Sequence, residues 1–340
     1  MTYDTNELEI LLCPRCMEGS LKQNNQQLTC LSCNETFFIV DNIPILLKDI
    51  KAKTKLEKID YDAMYQIDEK YCRQLYQNWV NRVFDRYKIK NGRLLEIGCG
   101  TGSFTHGLVN NSRFSKVHAI DISPTFLSVA RKRVGDSINN VKYYACDANY
   151  LPFQANSFDI IVGSAVLHHF IDYPDTLRQC KRLLSENGYA VFFEPVIQGK
   201  VMVAFIIDLM MRIERACSLN VFSEVDIENM NKVVRHQVKI PKMKHDRAKL
   251  KHIEDKYIFD LEEMKKLSSE IGFSRFDYIQ ANDQRPRNFK PNVIASLAKF
   301  GISSKKISQY DFLFESIVAS YSDILGDSIV SPMVYFVFQR

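Results

Sequence analysis

The chain has 340 residues, of which 46% are hydrophobic and 25% charged, so it has room for one large core and one small one. Its most apolar stretch, Val201 to Met211, contains Asp208 and is far shorter than the roughly 20 apolar residues of a membrane helix. The first residues are acidic rather than basic, which argues against a secretory signal. We therefore expect a cytoplasmic protein without a membrane span.

The net charge of +5 comes from one segment of the chain. Eight Lys or Arg residues lie between Lys232 and Lys251, against a single acid, Asp246. Such a run is typical of a solvated helix face, but an acidic substrate, a carrier or RNA would also bind it. Both interpretations of segment 232–252 stay open.

Four cysteines near the N-terminus form two C-x2-C pairs separated by 13 residues: Cys13, Cys16, Cys30 and Cys33. Two such knuckles facing each other make a tetrahedral four-thiolate site that suits Zn²⁺. A redox pair is the alternative, but it would use one C-x-x-C beside a βαβ unit rather than two matched pairs. Since no ligand position is left for water, the predicted zinc is structural. We predict a zinc ribbon over residues 1–50.

The next segment, 51–92, predicts a polar linker followed by one or two helices, because apolar residues between Tyr61 and Tyr87 recur at helical spacing. From residue 93 onward short apolar strands alternate with helices, one of which has Ser123 as N-cap and Pro124 at its first position. This alternation predicts an α/β fold with a doubly wound parallel sheet over 93–340. Two stretches, about 196–258 and 281–331, interrupt the alternation and are predicted insertions.

A glycine-rich turn follows the first strand of this region. Gly98, Gly100 and Gly102 allow a tight turn and close approach of a ligand to the backbone, and Ser103 departs from the G-x-G-x-x-G pattern of nicotinamide sites. Asp121 ends the next strand, where a carboxylate can accept both hydroxyls of a ribose. A lone glycine-rich turn is weak evidence, and Asp121 alone could be a capping acid. Together they predict a nucleoside site.

Residues 93–195 resemble the class I S-adenosylmethionine methyltransferases, a group that includes the quinone-biosynthesis C-methyltransferases. The resemblance implies a seven-stranded Rossmann-like sheet and S-adenosyl-L-methionine as cofactor. It assigns cofactor contacts to the residues that match the family's motifs: Glu96, Gly98, Gly100, Gly102, Asp121, Ile122, Asp147, Ala148 and Ser164. In some relatives tyrosines of the lead-in helix close over the cofactor, which here points to Tyr61 and Tyr65. The sequence around the four cysteines resembles the zinc ribbon found ahead of some methyltransferases.

Two histidines, His168 and His169, follow the fourth strand, and Glu194 ends the fifth. In some relatives a histidine at this position, with an acid after the fifth strand, is thought to act as general base. Such histidines also occur where they only pack or cap a helix. A catalytic role for His168, His169 and Glu194 is therefore one of two interpretations.

The sequence indicates the methyl acceptor less clearly than it indicates the cofactor. The first hypothesis is a small-molecule acceptor methylated at O, N or C, with the apolar insertion as a lid; a buried core helix is the other interpretation of that insertion. The second is an rRNA or tRNA base, because a bacterial rRNA guanine methyltransferase joins a four-thiolate ribbon to this same domain. The ribbon has only Arg15 and Lys22 as basic residues between Leu8 and Leu47, a small footprint for phosphate binding. A non-enzymatic cofactor-binding scaffold is the third hypothesis.

Overall fold

The computed structural model describes residues 8–48, 69–89, 91–109, 111–135, 140–243, 247–250, 255–281, 289–324 and 331–340. Its N-terminal unit is an antiparallel sheet in which the strands lie in chain order: β1 (Leu21–Asn24), β2 (Gln27–Cys30), β3 (Thr36–Val40) and β4 (Ile43–Pro44). Asn25, Asp41 and Asn42 have positive φ at the hairpin turns, which Asn and Asp tolerate.

The central sheet has seven strands: β5 (Gly92–Ile97), β6 (Phe114–Asp121), β7 (Val141–Ala145), β8 (Phe158–Ser164), β9 (Leu184–Pro195), β10 (Arg275–Gln280) and β11 (Met333–Gln339). Their order across the sheet is β10-β11-β9-β8-β5-β6-β7. Strand β11 is antiparallel to both of its neighbours, and β5 to β9 pair in parallel. The predicted seven-stranded α/β sheet is confirmed, and its strand order reverses at β5, where such sheets bind ligands.

The helices that follow or precede these strands are α1 (Glu69–Tyr87), α2 (Ser103–Val109), α3 (Pro124–Val134), α4 (Tyr173–Leu183) and α8 (Leu261–Ile271). Helix α3 begins as predicted, since the Ser123 hydroxyl accepts from the Phe126 N–H at 3.2 Å. Buried residues of α1, α2 and α3 share a core with one face of the sheet, and those of α4 and α8 share a core with the other. The sheet is therefore covered on both faces, as a parallel sheet requires.

The two insertions fold together as a helical unit made of α5 (Ile197–Cys217), α6 (Glu224–Met243), α9 (Lys290–Ala298), α10 (Ser304–Ile307) and α11 (Asp311–Ile324), while the short α7 (Arg247–Leu250) follows α6. Val203, Ile206 and Met210 of α5 are fully buried against apolar residues of α6 and α9. The Val201–Met211 stretch therefore belongs to a core helix of this unit. No helix among the described residues has the length and hydropathy needed to span a bilayer.

The ribbon packs directly against the central sheet. Ile45 forms a parallel bridge with Ala145 at the end of β7, and the Leu46 N–H donates to the Ala145 carbonyl at 2.7 Å. A second contact follows β7, where Leu11 bridges Phe153 and both side chains are fully buried. Ribbon and sheet therefore share one core. The domain boundary predicted from the sequence at residue 50 gave no indication of this contact.

Candidate cofactor and metal sites

The four predicted cysteine ligands converge at one point. The Sγ atoms of Cys13 and Cys33 are 3.6 Å apart, those of Cys16 and Cys30 are 3.7 Å apart, and all four lie within 4.8 Å of one another. Four thiolates bound to one tetrahedral Zn²⁺ at about 2.3 Å would be separated by about 3.8 Å. The sulfurs also accept backbone N–H groups, for example from Arg15 to Cys13 at 3.3 Å. The arrangement therefore fits a four-coordinate metal ion.

The three glycines after β5 have positive φ, but their surroundings differ. A Cβ at Gly98 would lie 2.2 Å from the Val166 side chain, and one at Gly102 would lie 2.7 Å from the Cα of Ala130 in α3. A Cβ at Gly100 would meet no atom within 4 Å. Gly98 and Gly102 are thus required by packing of the fold, whereas Gly100 faces open space.

Asp121 at the end of β6 holds this loop. Its Oδ2 accepts the Gly100 N–H at 2.9 Å, and its Oδ1 accepts the Ser123 N–H at 2.9 Å. Burial raises the pKa of Asp121, although these backbone hydrogen bonds act in the opposite direction. The structure therefore connects two of the predicted motifs through one carboxylate.

Glu96 lies inside the sheet, two residues before Gly98, and is 1% exposed. Burial raises its pKa to about 8, while a hydrogen bond from the Thr105 hydroxyl at 2.7 Å opposes the shift and the nearby Asp121 adds to it. Its side-chain partner Thr105, on α2, was not predicted from the sequence. A buried carboxyl with a raised pKa is typical of a functional site.

The remaining predicted cofactor residues lie at the same edge of the sheet. Asp147 and Ala148 follow β7, where the Asp147 carboxylate accepts the Asn149 N–H at 2.8 Å. Ile122 follows β6, and Ser164 ends β8. Because the carboxyl ends of parallel strands share one edge, these residues lie on the same side of the sheet. Tyr61 and Tyr65 lie outside the described residues, so their predicted role stays a prediction.

Glu194 organises the turn after β8. Its Oε1 accepts the N–H groups of Val166 at 2.9 Å and Leu167 at 2.7 Å, and its Oε2 lies 2.6 Å from Nδ1 of His168. Glu194 is fully buried, and His168 is 7% exposed. This carboxylate therefore positions both the turn and the histidine ring.

An acid that the sequence did not single out completes this cluster. Oδ1 of Asp255 lies 3.4 Å from Nε2 of His168 and 3.7 Å from Nδ1 of His169. Burial lowers the pKa of His168, but Glu194 and Asp255 outweigh it and raise that pKa to about 9. With Asp255 in place and no cation between the two side chains, the charged form of His168 is favoured, which disfavours the role of base. Asp255 is 86 residues from His169 and belongs to no motif, so only the fold reveals it.

A family model described as a methyltransferase domain matches residues 95–192. This range begins in β5 and ends in β9, and it contains the glycine loop, Asp121, Asp147 and both histidines. Residues 95–192 are a methyltransferase domain. The strand order with an antiparallel β11 is that of the class I S-adenosylmethionine-dependent methyltransferases, as the resemblance implied.

The names of curated relatives of this methyltransferase domain indicate different activities. A demethylmenaquinone methyltransferase of Staphylococcus aureus (strain MRSA252) is 31% identical over 153 residues, which is 42% of this chain and 63% of that protein. A malonyl-[acyl-carrier protein] O-methyltransferase of Halorhodospira halophila is 31% identical over 100 residues, 29% of this chain and 34% of that protein. The reducing polyketide synthase Preu2 of Preussia isomera is 35% identical over 119 residues, 34% of this chain and 5% of that protein. The chain therefore spans less than two thirds of these relatives.

A solved structure of Haemonchus contortus phosphoethanolamine N-methyltransferase 2, in complex with S-adenosyl-L-methionine, is similar at 16% identity. The match covers 83% of this chain and 59% of that one, with a TM-score of 0.44.

Proposed function

We propose that the chain transfers a methyl group from S-adenosyl-L-methionine to a small-molecule acceptor, with a structural Zn²⁺ in the ribbon. The observation that carries this proposal is the joint geometry of Gly100 and Asp121 within the methyltransferase domain. Gly100 faces open space at the carboxyl end of β5, and the Asp121 carboxylate is fixed beside it.

The Asp121 carboxylate retains the capacity that a ribose needs. An ionised carboxylate offers about four lone-pair sites; the N–H groups of Gly100 and Ser123 use two, and the Ile122 N–H contributes a further backbone hydrogen bond. At least one site therefore remains for a ribose hydroxyl. We assign Asp147, two residues after the neighbouring β7, to the adenine, and Glu96 and Ser164 to the methionine part.

The acceptor would reach the methyl group from the side of His168, His169 and Glu194, since these residues lie at the same sheet edge. The cofactor supplies an activated methyl group, so the protein has to hold the acceptor atom in line at about 3–3.5 Å and keep water out. The helical unit starts directly after β9, at Ile197, and we infer that it covers the bound acceptor. The named relatives supply precedents with quinone and carrier-bound acceptors.

A two-part experiment tests the proposal. Calorimetry on zinc-loaded protein should show binding of S-adenosylhomocysteine, and incubation with methyl-labelled cofactor and fractionated cell extract should place the label in low-mass material or on a carrier. No binding heat would refute the cofactor assignment. Label in the RNA fraction would refute the small-molecule acceptor in favour of the RNA alternative, which the named relatives do not support.

A further inference from the structure

We propose that His168, His169 and Asp255 bind a divalent first-row metal ion at the acceptor edge of the sheet, as a second metal site separate from the ribbon. Three potential ligand atoms converge there: Nε2 of His168, Nδ1 of His169 and Oδ1 of Asp255, all within 4.8 Å of one another. Two histidines and a carboxylate are a ligand set of catalytic metal sites, which keep a further position open.

The two separations from the Asp255 carboxylate fit a shared ion better than direct hydrogen bonds. An N–H···O bond is about 2.7–3.2 Å long, whereas the two contacts of Asp255 measure 3.4 and 3.7 Å. Two ligands bound to one tetrahedral ion at about 2.1 Å lie about 3.4 Å apart. A single proton can bridge only one of the two pairs, whereas a cation can bind all three atoms.

The surrounding contacts orient the ligands as metal sites require. Glu194 lies 2.6 Å from Nδ1 of His168, so the Nδ1 proton stays on that side of the ring, and a metal ion that displaces the Nε2 proton would meet the Nε2 lone pair beside Asp255. A carboxylate behind a metal-binding histidine fixes the ring in this way in known sites. Asp255 is held by its neighbour, because the Lys256 N–H donates to the His168 carbonyl at 2.8 Å.

This inference rests on the proposed function for its chemical meaning. Among the described residues three side chains supply ligands, so a four-coordinate ion would have one further position for an acceptor atom. A bound oxygen there, from a phenol, enol or carboxylate, would be held close to the methyl group. The substrate class that the site favours is therefore an acceptor with a metal-binding oxygen.

The test uses Co²⁺ as the probe on the full chain, with Asp255→Asn and His169→Gln as variants. His236→Gln is the matched control, since His236 is an exposed histidine on α6. We expect two ions per wild-type chain: one with the thiolate charge-transfer absorption of the ribbon, and one without it. Both variants should lose the second ion or bind it at least about tenfold more weakly, while the control keeps it.

One Co²⁺ per wild-type chain, or an unchanged second ion in both variants, would overturn the inference. Binding of S-adenosylhomocysteine is measured on the same samples by calorimetry. Cofactor binding without a second ion contradicts this metal site alone, whereas loss of cofactor binding in well-folded wild-type protein contradicts the proposed function.

Discussion

Replacing Gly100 by alanine should separate cofactor binding from folding. Gly100 has φ +53°, and an added Cβ would meet no protein atom within 4 Å. The substitution therefore costs about 1–2 kcal/mol of stability from the left-handed backbone alone. The added methyl group would occupy the space into which we place the cofactor, so binding should weaken by at least about 100-fold, which corresponds to about 2.7 kcal/mol.

Gly301→Ala is the matched control. Gly301 also has positive φ, at +76°, and a Cβ added there would likewise meet open space, but it lies after α9 in the helical unit. Both variants should lose a similar free energy of unfolding in urea titrations, and only Gly100→Ala should lose calorimetric binding of S-adenosylhomocysteine. Gly102→Ala, whose Cβ would lie 2.7 Å from backbone of α3, should be much less stable than either. Normal cofactor binding by Gly100→Ala would refute our placement of the cofactor.

Three further predictions concern other parts of the molecule. Asp121→Asn should weaken S-adenosylhomocysteine binding about 10- to 100-fold and also lower the melting temperature, because the amide NH₂ can accept neither a loop N–H nor a ribose hydroxyl; the exposed Asp175→Asn should change neither. Cys16→Ser should lower both the melting temperature and cofactor affinity, because the ribbon supports β7, and the exposed Cys217→Ser should change neither. Burial lowers the pKa of His118 to about 3, from a value near 6.5 in the unfolded chain. Between pH 6.5 and 3 the unfolded chain therefore binds a proton at His118 and the folded chain does not, so the folded state becomes less stable as pH falls. Urea titrations should show that the free energy of unfolding is about 2 kcal/mol lower at pH 5 than above pH 7 because of His118. His118→Gln should remove this pH dependence, and the control His236→Gln should retain it.

The methyltransferase domain could be predicted from sequence because each of its motifs lies within a few consecutive residues. Each strand is a short apolar run, and the residue that ends it, such as Asp121 or Ser164, reaches the shared edge by virtue of parallel pairing alone. The cysteine knuckles are likewise specified by spacing within each pair. In such cases the position of a residue in its strand or turn determines where its side chain goes.

The contacts between distant segments could not be predicted in this way. Asp255 reaches His168 because residues up to Phe259 run beside the end of β9, where the Phe259 N–H donates to the Pro195 carbonyl at 2.9 Å. Nothing in the sequence around Asp255 indicates that pairing. The core position of α5 was equally hidden, since its apolar pattern suits a lid or a core until α6 and α9 are seen against it.

The position of the ribbon suggests what its proposed metal ion does for the rest of the domain. Residues 145–154 lead away from β7 and include Asp147, the predicted adenine contact. Backbone N–H groups of the ribbon donate to the carbonyls of Ala145 and Pro152 in this segment. The Arg182 guanidinium donates to two further carbonyls, those of Leu151 at 2.9 Å and Phe153 at 2.7 Å. Because the ribbon has little core of its own, loss of its metal should release one side of this segment. If Asp147 contacts the adenine as proposed, the ribbon supports that side of the cofactor site from a distance, and this support explains its presence without RNA.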